Sequence, residues 1–146
     1  MFELRVSDYN EARRLVAQHW PSHVISLITG TLPVFGPRHL QIAFNDIIRP
    51  SPGLVLPQAT HVDQLLAFTR DLGDQDRLLV HCMAGINRSP AAAIGILIQH
   101  GVEFAEAYRM IAAMRPSIEP NRLLISYIDR RFDLDGALNR LIAHPP

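Results

Sequence analysis

The stretch HCMAGINRSP at residues 81–90 decides how this chain is interpreted. It overlaps RLLVH (77–81), a short apolar run typical of a buried strand, and it leads into AAAIGILIQH (91–100), which is apolar enough for a largely buried helix. The pattern therefore predicts a strand, a tight loop and a helix in direct succession. We call residues 82–87, between the strand and the helix, the cysteine loop.

The composition of the cysteine loop favours an anion-binding site. Successive backbone N–H groups in a tight loop, together with the free N–H groups at the start of a helix, form a concave site for phosphate oxygens. Gly85 permits the required turn of the backbone. Arg88 adds a planar guanidinium, which can donate to two phosphate oxygens at once. The expected phosphate-binding residues are Met83, Ala84, Gly85, Ile86, Asn87 and Arg88.

Cys82 is positioned in this pattern to act as a nucleophile. A thiol that faces converging N–H dipoles and a cation is stabilised as the thiolate, which is the reactive form. A phosphate ester bound in the loop would present its phosphorus in line with the sulfur, so that attack forms a phosphocysteine. The hydroxyl of Ser89 can donate a hydrogen bond to the sulfur when that intermediate is hydrolysed. The residues thus predict hydrolysis of phosphate monoesters.

HCMAGINRSP resembles the HCxxGxxR[ST] signature of the cysteine-based protein tyrosine phosphatase superfamily and matches each of its fixed positions. RPSIEPN (115–121) resembles the C-terminal part of its compact dual-specificity-like branch, and the similarity extends from His23 to Ile128. The resemblance implies a tyrosine or dual-specificity type of phosphatase. The roles that it implies are nucleophile for Cys82, phosphate clamp for Arg88, release of the thiolate for Ser89, and support of the loop and thiol for His81.

Asp46 is the candidate general acid and base. It follows a predicted strand, opens the long loop NDIIRPSPGLVLPQ (45–58), and matches the family position of the acid. The other carboxylates are less suitable, because three of them precede the strand that leads to Cys82 and one lies on a predicted helix. These competing residues are Asp71, Asp74, Asp76 and Asp63.

Alternating strands and helices predict an α/β fold. We expect one domain over residues 1–146, with a mostly parallel central sheet flanked by helices and the site at a strand–loop–helix junction. The predicted strands are 2–6, 23–29, 39–44 and 77–81. The predicted helices are 9–19, 59–72, the segment that follows Ser89, 103–114 and 121–142.

Composition narrows the possible partners. The 14 basic and 14 acidic residues balance, so no global field favours nucleic acid or an anionic membrane. The chain has one cysteine, which excludes an internal disulfide, and it shows neither a secretory signal nor an apolar run of roughly 18 residues. We expect a soluble cytoplasmic protein without nucleic-acid or membrane partners. Its oligomeric state is left open.

Several alternatives compete with this interpretation. All 14 basic residues are Arg, so the lysine of a nucleotide-binding P-loop is missing. The histidines show no metal-ligand spacing, and no metal or cofactor is expected. A thiol relay would need further cysteines, whereas a sulfurtransferase or an inactive phospho-binding module stays possible.

The cysteine loop contains no basic side chain, which disfavours multiply phosphorylated inositol lipids as substrates. Phosphoproteins, modified on Tyr or Ser/Thr, and small phosphate monoesters are left as candidate substrates.

Overall fold

The four strands form one sheet in which every neighbouring pair is parallel. In this computed structural model, which describes residues 1–146, the sheet order is β1-β4-β2-β3. The strands are β1 (Glu3–Ser7), β2 (His23–Leu27), β3 (His39–Ile42) and β4 (Arg77–His81). The predicted parallel sheet is confirmed. Because β4 lies between β1 and β2, the cysteine loop leaves the sheet from the middle of its carboxyl edge.

Six helices cover the sheet: α1 (Tyr9–Ala17), α2 (Ala59–Thr69), α3 (Arg88–Gln99), α4 (Phe104–Met114), α5 (Arg122–Arg131) and α6 (Ala137–Ala143). Helix α3 is the most deeply placed, since every residue from Ser89 to Leu97 is buried. A Cβ at Gly95 would lie 2.9 Å from Cδ1 of Ile128, so this glycine permits the close approach of α5 to α3. The predicted buried helix is therefore present at the expected position.

The two faces of the sheet are covered unequally. Leu78 and Val80 of β4 point into a large core that also receives side chains from α2 to α6. Leu79, which points the opposite way, packs with Ala12 and Leu15 of α1 in a small second core. The molecule is thus an α/β/α sandwich with a single helix on one side, and the predicted α/β class is confirmed.

The C-terminal segment differs from the prediction of one helix over residues 121–142. The chain leaves the helical conformation between α5 and α6, where Asp133 and Asp135 both have φ of 53°. The buried carboxylate of Asp129 then accepts hydrogen bonds from the backbone N–H groups of Gly136, Leu138 and Asn139. The break is stable because a side chain from α5 caps the start of α6, which hydrophobic periodicity alone does not reveal.

Strands β2 and β3 each end two residues earlier than predicted. The earlier end of β3 matters for the site. The carbonyl of Phe44, which lies beyond the strand, accepts a hydrogen bond from the side chain of Arg88. Helices α1 and α2 also end before His19 and Leu72, the predicted boundaries. None of the six helices is both long enough and apolar enough to span a membrane.

Candidate active site

The thiol of Cys82 is buried at the base of the cysteine loop, one residue beyond β4. Its Sγ lies 3.2 Å from Oγ of Ser89 and accepts a hydrogen bond from the backbone N–H of Gly85 at 3.2 Å. A thiolate can only accept hydrogen bonds, so in that form the Ser89 hydroxyl is the donor. The structure therefore brings together the sulfur, the Ser89 hydroxyl and the N–H of Gly85.

Every carbonyl of the cysteine loop accepts a hydrogen bond from a group that lies outside residues 82–87. Three donors are side-chain nitrogens, from His81 and twice from Arg115, and three are backbone N–H groups. The bonds run from His81 Nδ1 to Cys82 at 3.2 Å, Tyr9 N–H to Met83 at 3.0 Å, Arg115 Nη2 to Ala84 at 2.9 Å, Arg115 Nε to Gly85 at 3.3 Å, Glu119 N–H to Ile86 at 2.9 Å and Asn121 N–H to Asn87 at 2.9 Å.

These bonds fix the direction of the loop amides. In a trans peptide the N–H points away from the preceding C=O, and the chain contains no cis peptide. Because groups outside the loop engage all six carbonyls, the N–H groups of residues 83–88 point away from those partners, and that of Gly85 donates to Sγ of Cys82. This arrangement is compatible with an anion-binding cradle.

Gly85 is required at the tightest point of the loop. Its φ is 72°, in the left-handed region, and a Cβ there would lie 2.7 Å from Nη2 of Arg115 and 2.8 Å from the backbone nitrogen of Asp8. The space that a side chain would need is occupied by the groups that hold the loop. The glycine therefore serves close packing as well as the turn.

Arg88 begins α3 and connects the cysteine loop to the segment that carries Asp46. Its Nη1 donates to the Phe44 carbonyl at 3.0 Å, two residues before Asp46. The 45–58 loop is closed at its base by two bonds between Asn45 and Val55, of 2.8 and 2.7 Å. Asp46 is thus held beside the cysteine loop, with its side chain exposed.

Asn121 joins three parts of the site. Its Oδ1 accepts hydrogen bonds from the backbone N–H groups of Leu123 and Leu124 and so caps α5. This leaves Nδ2 as the donor to Oδ1 of Asp46 at 2.9 Å and to the Ile47 carbonyl at 3.1 Å. The buried amide therefore orients the candidate acid.

His81 lies behind the loop and is fully buried. Burial lowers its pKa from 6.5 to about 4, so the ring is neutral near pH 7. Its Nδ1 contacts the Cys82 carbonyl, and its Nε2 lies 2.5 Å from Oγ of Ser26. His81 therefore contacts the first carbonyl of the cysteine loop from behind.

Four groups of this site were missed by sequence reasoning: the guanidinium of Arg115, the side chain of Asn121, and the backbone N–H groups of Tyr9 and Glu119. Arg115 and Asn121 lie in RPSIEPN (115–121), and the resemblance of that segment to the C-terminal part of the family was the one available signal for them. The competing Asp74 and Asp76 are at the opposite end of the sheet, where Asp74 pairs with the N-terminal amine and the Asp76 carbonyl accepts from the start of β1.

A groove of about 500 Å³ adjoins the site and shares Asp46, Asn87 and Asn121 with it. Its floor and walls are partly apolar, with Ile47, Ile48, Tyr108 and Ile118 among the lining residues. No cluster of three or more His, Cys, Asp or Glu side chains in the structure is arranged to hold a metal ion.

Comparison with known proteins identifies relatives among phosphatases, although no protein-family model matches the chain. It is 46% identical over 73 residues to dual specificity protein phosphatase 14 of Homo sapiens, which is 47% of this chain and 35% of that protein. The chain spans only 7% to 35% of the curated relatives compared with it.

Solved structures extend the similarity to the whole fold. Human DUSP28 superposes with a TM-score of 0.67 at 20% identity, covering 92% of this chain and 94% of that one. PTPMT1 in complex with PI(5)P superposes with a TM-score of 0.62 at 20% identity, covering 97% and 92%. The signature at residues 81–90, the curated relatives and the shared fold make this chain similar to the cysteine-based protein tyrosine phosphatase superfamily, in its dual-specificity-like branch.

Proposed function

We propose that this chain is a phosphatase that hydrolyses phosphate monoesters through a phosphocysteine on Cys82. The observation that carries the proposal is the cysteine loop, whose six carbonyls are all bonded by groups outside the loop, while the N–H of Gly85 and the hydroxyl of Ser89 contact the buried thiol. Such a site binds a tetrahedral anion directly above a nucleophile. The similarity to dual-specificity phosphatases supports the same activity.

The first step forms a sulfur–phosphorus bond and breaks the bond from phosphorus to the ester oxygen. The loop N–H groups and Arg88 stabilise the charge on the equatorial oxygens. Because Nη1 of Arg88 is held by the Phe44 carbonyl, Nη2 and Nε are left to donate to two oxygens of the phosphate. Asp46 donates a proton to the departing oxygen, and Asn121 holds that carboxyl in place.

The second step breaks the sulfur–phosphorus bond. Asp46, now ionised, takes a proton from a water molecule while the oxygen of that water attacks phosphorus. The sulfur leaves as a thiolate and accepts a hydrogen bond from Ser89, whose Oγ lies 3.2 Å away. Phosphate is released and the starting protonation states are restored.

The substrate that we propose is a phosphorylated protein, modified on Tyr or on Ser/Thr, or a small phosphate monoester. The interior of the cysteine loop offers no basic side chain, so a headgroup with several phosphates finds no additional cations there. Two of its side chains, Met83 and Ile86, are apolar and 57% and 37% exposed, which favours an uncharged group beside the phosphate.

The test is hydrolysis of para-nitrophenyl phosphate, without added metal, by the wild type and by Cys82→Ser and Arg88→Ala. We expect vanadate-sensitive turnover that is lost in both variants, while the matched variant Arg109→Ala, which removes an exposed guanidinium from α4, stays active. No wild-type turnover, with vanadate still bound, would instead indicate an inactive phospho-binding module. Transfer of sulfur from thiosulfate to cyanide would support a sulfurtransferase.

A second assay addresses the substrate class. Phosphate release is compared between phosphotyrosine and phosphothreonine peptides and vesicles that contain PI(5)P, the ligand of the PTPMT1 complex. Higher kcat/KM on a peptide supports the proposed protein substrate, and higher kcat/KM on the vesicles contradicts it.

A further inference from the structure

A continuous chain of hydrogen bonds extends from Phe35, which precedes β3, to the back of the cysteine loop. The backbone N–H of Phe35 donates to Nδ1 of His39 at 3.1 Å, and Nε2 of His39 lies 2.8 Å from Oγ of Ser26. Oγ of Ser26 is 2.5 Å from Nε2 of His81, whose Nδ1 is 3.2 Å from the Cys82 carbonyl. The chain therefore joins β3, β2 and β4 in order.

The two ends of this chain determine the position of every proton along it. The Cys82 carbonyl can only accept, so Nδ1 of His81 carries the proton and Nε2 accepts. The Ser26 hydroxyl must then donate to His81, and its oxygen accepts from Nε2–H of His39. At the far end the Phe35 N–H can only donate, which agrees with Nδ1 of His39 being an acceptor.

Both histidines are neutral in this arrangement. Burial lowers the pKa of His81 to about 4 and also lowers the pKa of His39. The other titratable groups that face His81 are Cys82, Asp8 and the ring of Tyr9, whose centroid lies 6.0 Å away. Neutral histidine has two tautomers, so some neighbouring group must select one of them.

We infer that His39 is a positioning residue that acts through Ser26 to hold His81 in the Nδ1–H tautomer, and thereby to hold the first carbonyl of the cysteine loop outward. Ser26 lies directly opposite His81 in the β2–β4 pairing, which fixes their contact. The ring of Phe35 stacks on His39 with centroids 5.3 Å apart and holds it in place.

The opposite tautomer would disrupt the loop. Nδ1 would then present a lone pair to the Cys82 carbonyl, and the two acceptors would repel each other. The peptide between Cys82 and Met83 would lose its restraint, and the Met83 N–H would no longer point reliably at the bound anion. The thiolate of Cys82 would also lose stabilisation from the aligned amides.

The role of the chain in turnover rests on the proposed phosphatase function, but its effect on the thiol does not. We would therefore measure two properties that need no turnover: the protonated ring nitrogen of His81, by ¹⁵N NMR, and the rate of alkylation of Cys82 by iodoacetamide between pH 5 and 8. Phosphatase assays run in parallel, so failure of the proposed function is recognised separately by an inactive wild type.

The variants are His39→Leu, His39→Gln and Ser26→Ala. Since one hydrogen bond is worth roughly 1 kcal/mol, we expect His39→Leu and Ser26→Ala to slow alkylation at pH 6 by about fivefold and to populate the Nε2–H tautomer. His39→Gln keeps an N–H donor for Ser26 and should stay within about twofold of the wild type. The matched control is His23→Leu, a partly buried histidine at the far end of β2.

Unchanged tautomer and alkylation in folded His39→Leu would overturn the inference. Equal loss in the Leu and Gln variants would also overturn it, because packing rather than the donor would then be responsible. If His39→Leu fails to fold, Ser26→Ala decides, since it removes one hydroxyl from the same chain. A wild type in which Nε2 of His81 carries the proton would contradict the inference before any variant is made.

Discussion

The amide of Asn121 is bonded on both sides: Oδ1 caps α5, and Nδ2 donates to Oδ1 of Asp46 at 2.9 Å. An amide has one acceptor and one donor end, so the cap determines that the donor end faces Asp46. The position of the candidate acid is consequently tied to the start of a helix that is 75 residues away in sequence.

Replacing Asn121 with Ser should separate these two functions. Serine caps a helix about as well as asparagine but is too short to reach Asp46, so stability should change by less than about 1 kcal/mol. We expect turnover of phenyl phosphate, whose phenolate is a poor leaving group, to fall by about tenfold. The effect on para-nitrophenyl phosphate should be much smaller. Steady-state kinetics on both esters measure this. An equal loss on both would contradict the role of Asn121 in orienting the acid.

Asp46→Asn tests the acid itself. The amide cannot deliver a proton, so the rate should depend more steeply on the acidity of the leaving group, with activated aryl phosphates least affected. A series of substituted phenyl phosphates measures that slope. Asp63→Asn is the control, because that carboxylate is on α2 and pairs loosely with Arg131 at 3.7 Å. A parallel loss across the whole series would exclude Asp46 as the proton donor.

Arg115→Lys should weaken anion binding without changing the fold. The guanidinium donates to the carbonyls of both Ala84 and Gly85, and one ammonium cannot reproduce two such bonds in the same geometry. Hydrogen bonds from charged donors contribute about 1.5–3 kcal/mol, so the inhibition constant for vanadate should rise by about tenfold. Arg109→Lys, on the exposed face of α4, is the matched control. Unchanged vanadate inhibition would show that Arg115 does not hold the loop.

Peroxide should inactivate the enzyme through Cys82. The proposed nucleophilic sulfur should be oxidised to the sulfenic acid, and the chain has no second cysteine with which to form an internal disulfide. Early treatment with dithiothreitol should restore activity, and later treatment should fail once the sulfinic acid has formed. Mass spectrometry of the Cys82 peptide follows both stages. Full activity after prolonged millimolar peroxide would contradict a reactive thiolate.

Stability should decrease as pH falls from about 6.5 to 4. The pKa of His81 is lowered to about 4 in the folded protein, so the unfolded state binds the proton first. The contribution is complete above pH 6.5 and is lost through this interval, by up to about 3 kcal/mol for a difference of this size. His23, His39 and His61, whose pKa values are also lowered by burial, act in the same direction.

Urea unfolding at several pH values measures this dependence. In His81→Asn the amide can still donate to the Cys82 carbonyl but does not titrate, so the slope between pH 6.5 and 4 should become shallower than in the wild type. Identical slopes in the two proteins would show that His81 does not contribute.

Much of the fold could be predicted because its signals are local. The buried run RLLVH and the apolar segment after Ser89 identified β4 and α3, and both are present. The break between α5 and α6 could not be predicted from periodicity, since it depends on the carboxylate of Asp129 reaching forward to the N–H groups of the next helix. A side-chain cap of this kind competes with helix continuation and leaves little trace in the apolar pattern.

By itself the sequence predicted the candidate nucleophile, clamp and hydroxyl, because Cys82, Arg88 and Ser89 lie in one short segment and an anion-binding loop before a helix needs those residue types at that spacing. Only the tertiary structure decided how the loop is held. Its carbonyls are bonded by Tyr9, Arg115, Glu119 and Asn121, which are distant in sequence. Ser26 is separated in sequence from its hydrogen-bond partners His39 and His81 by 13 and 55 residues. The physical reason is that a hydrogen bond depends on proximity in space, which arises only when parallel strands and their helices have packed.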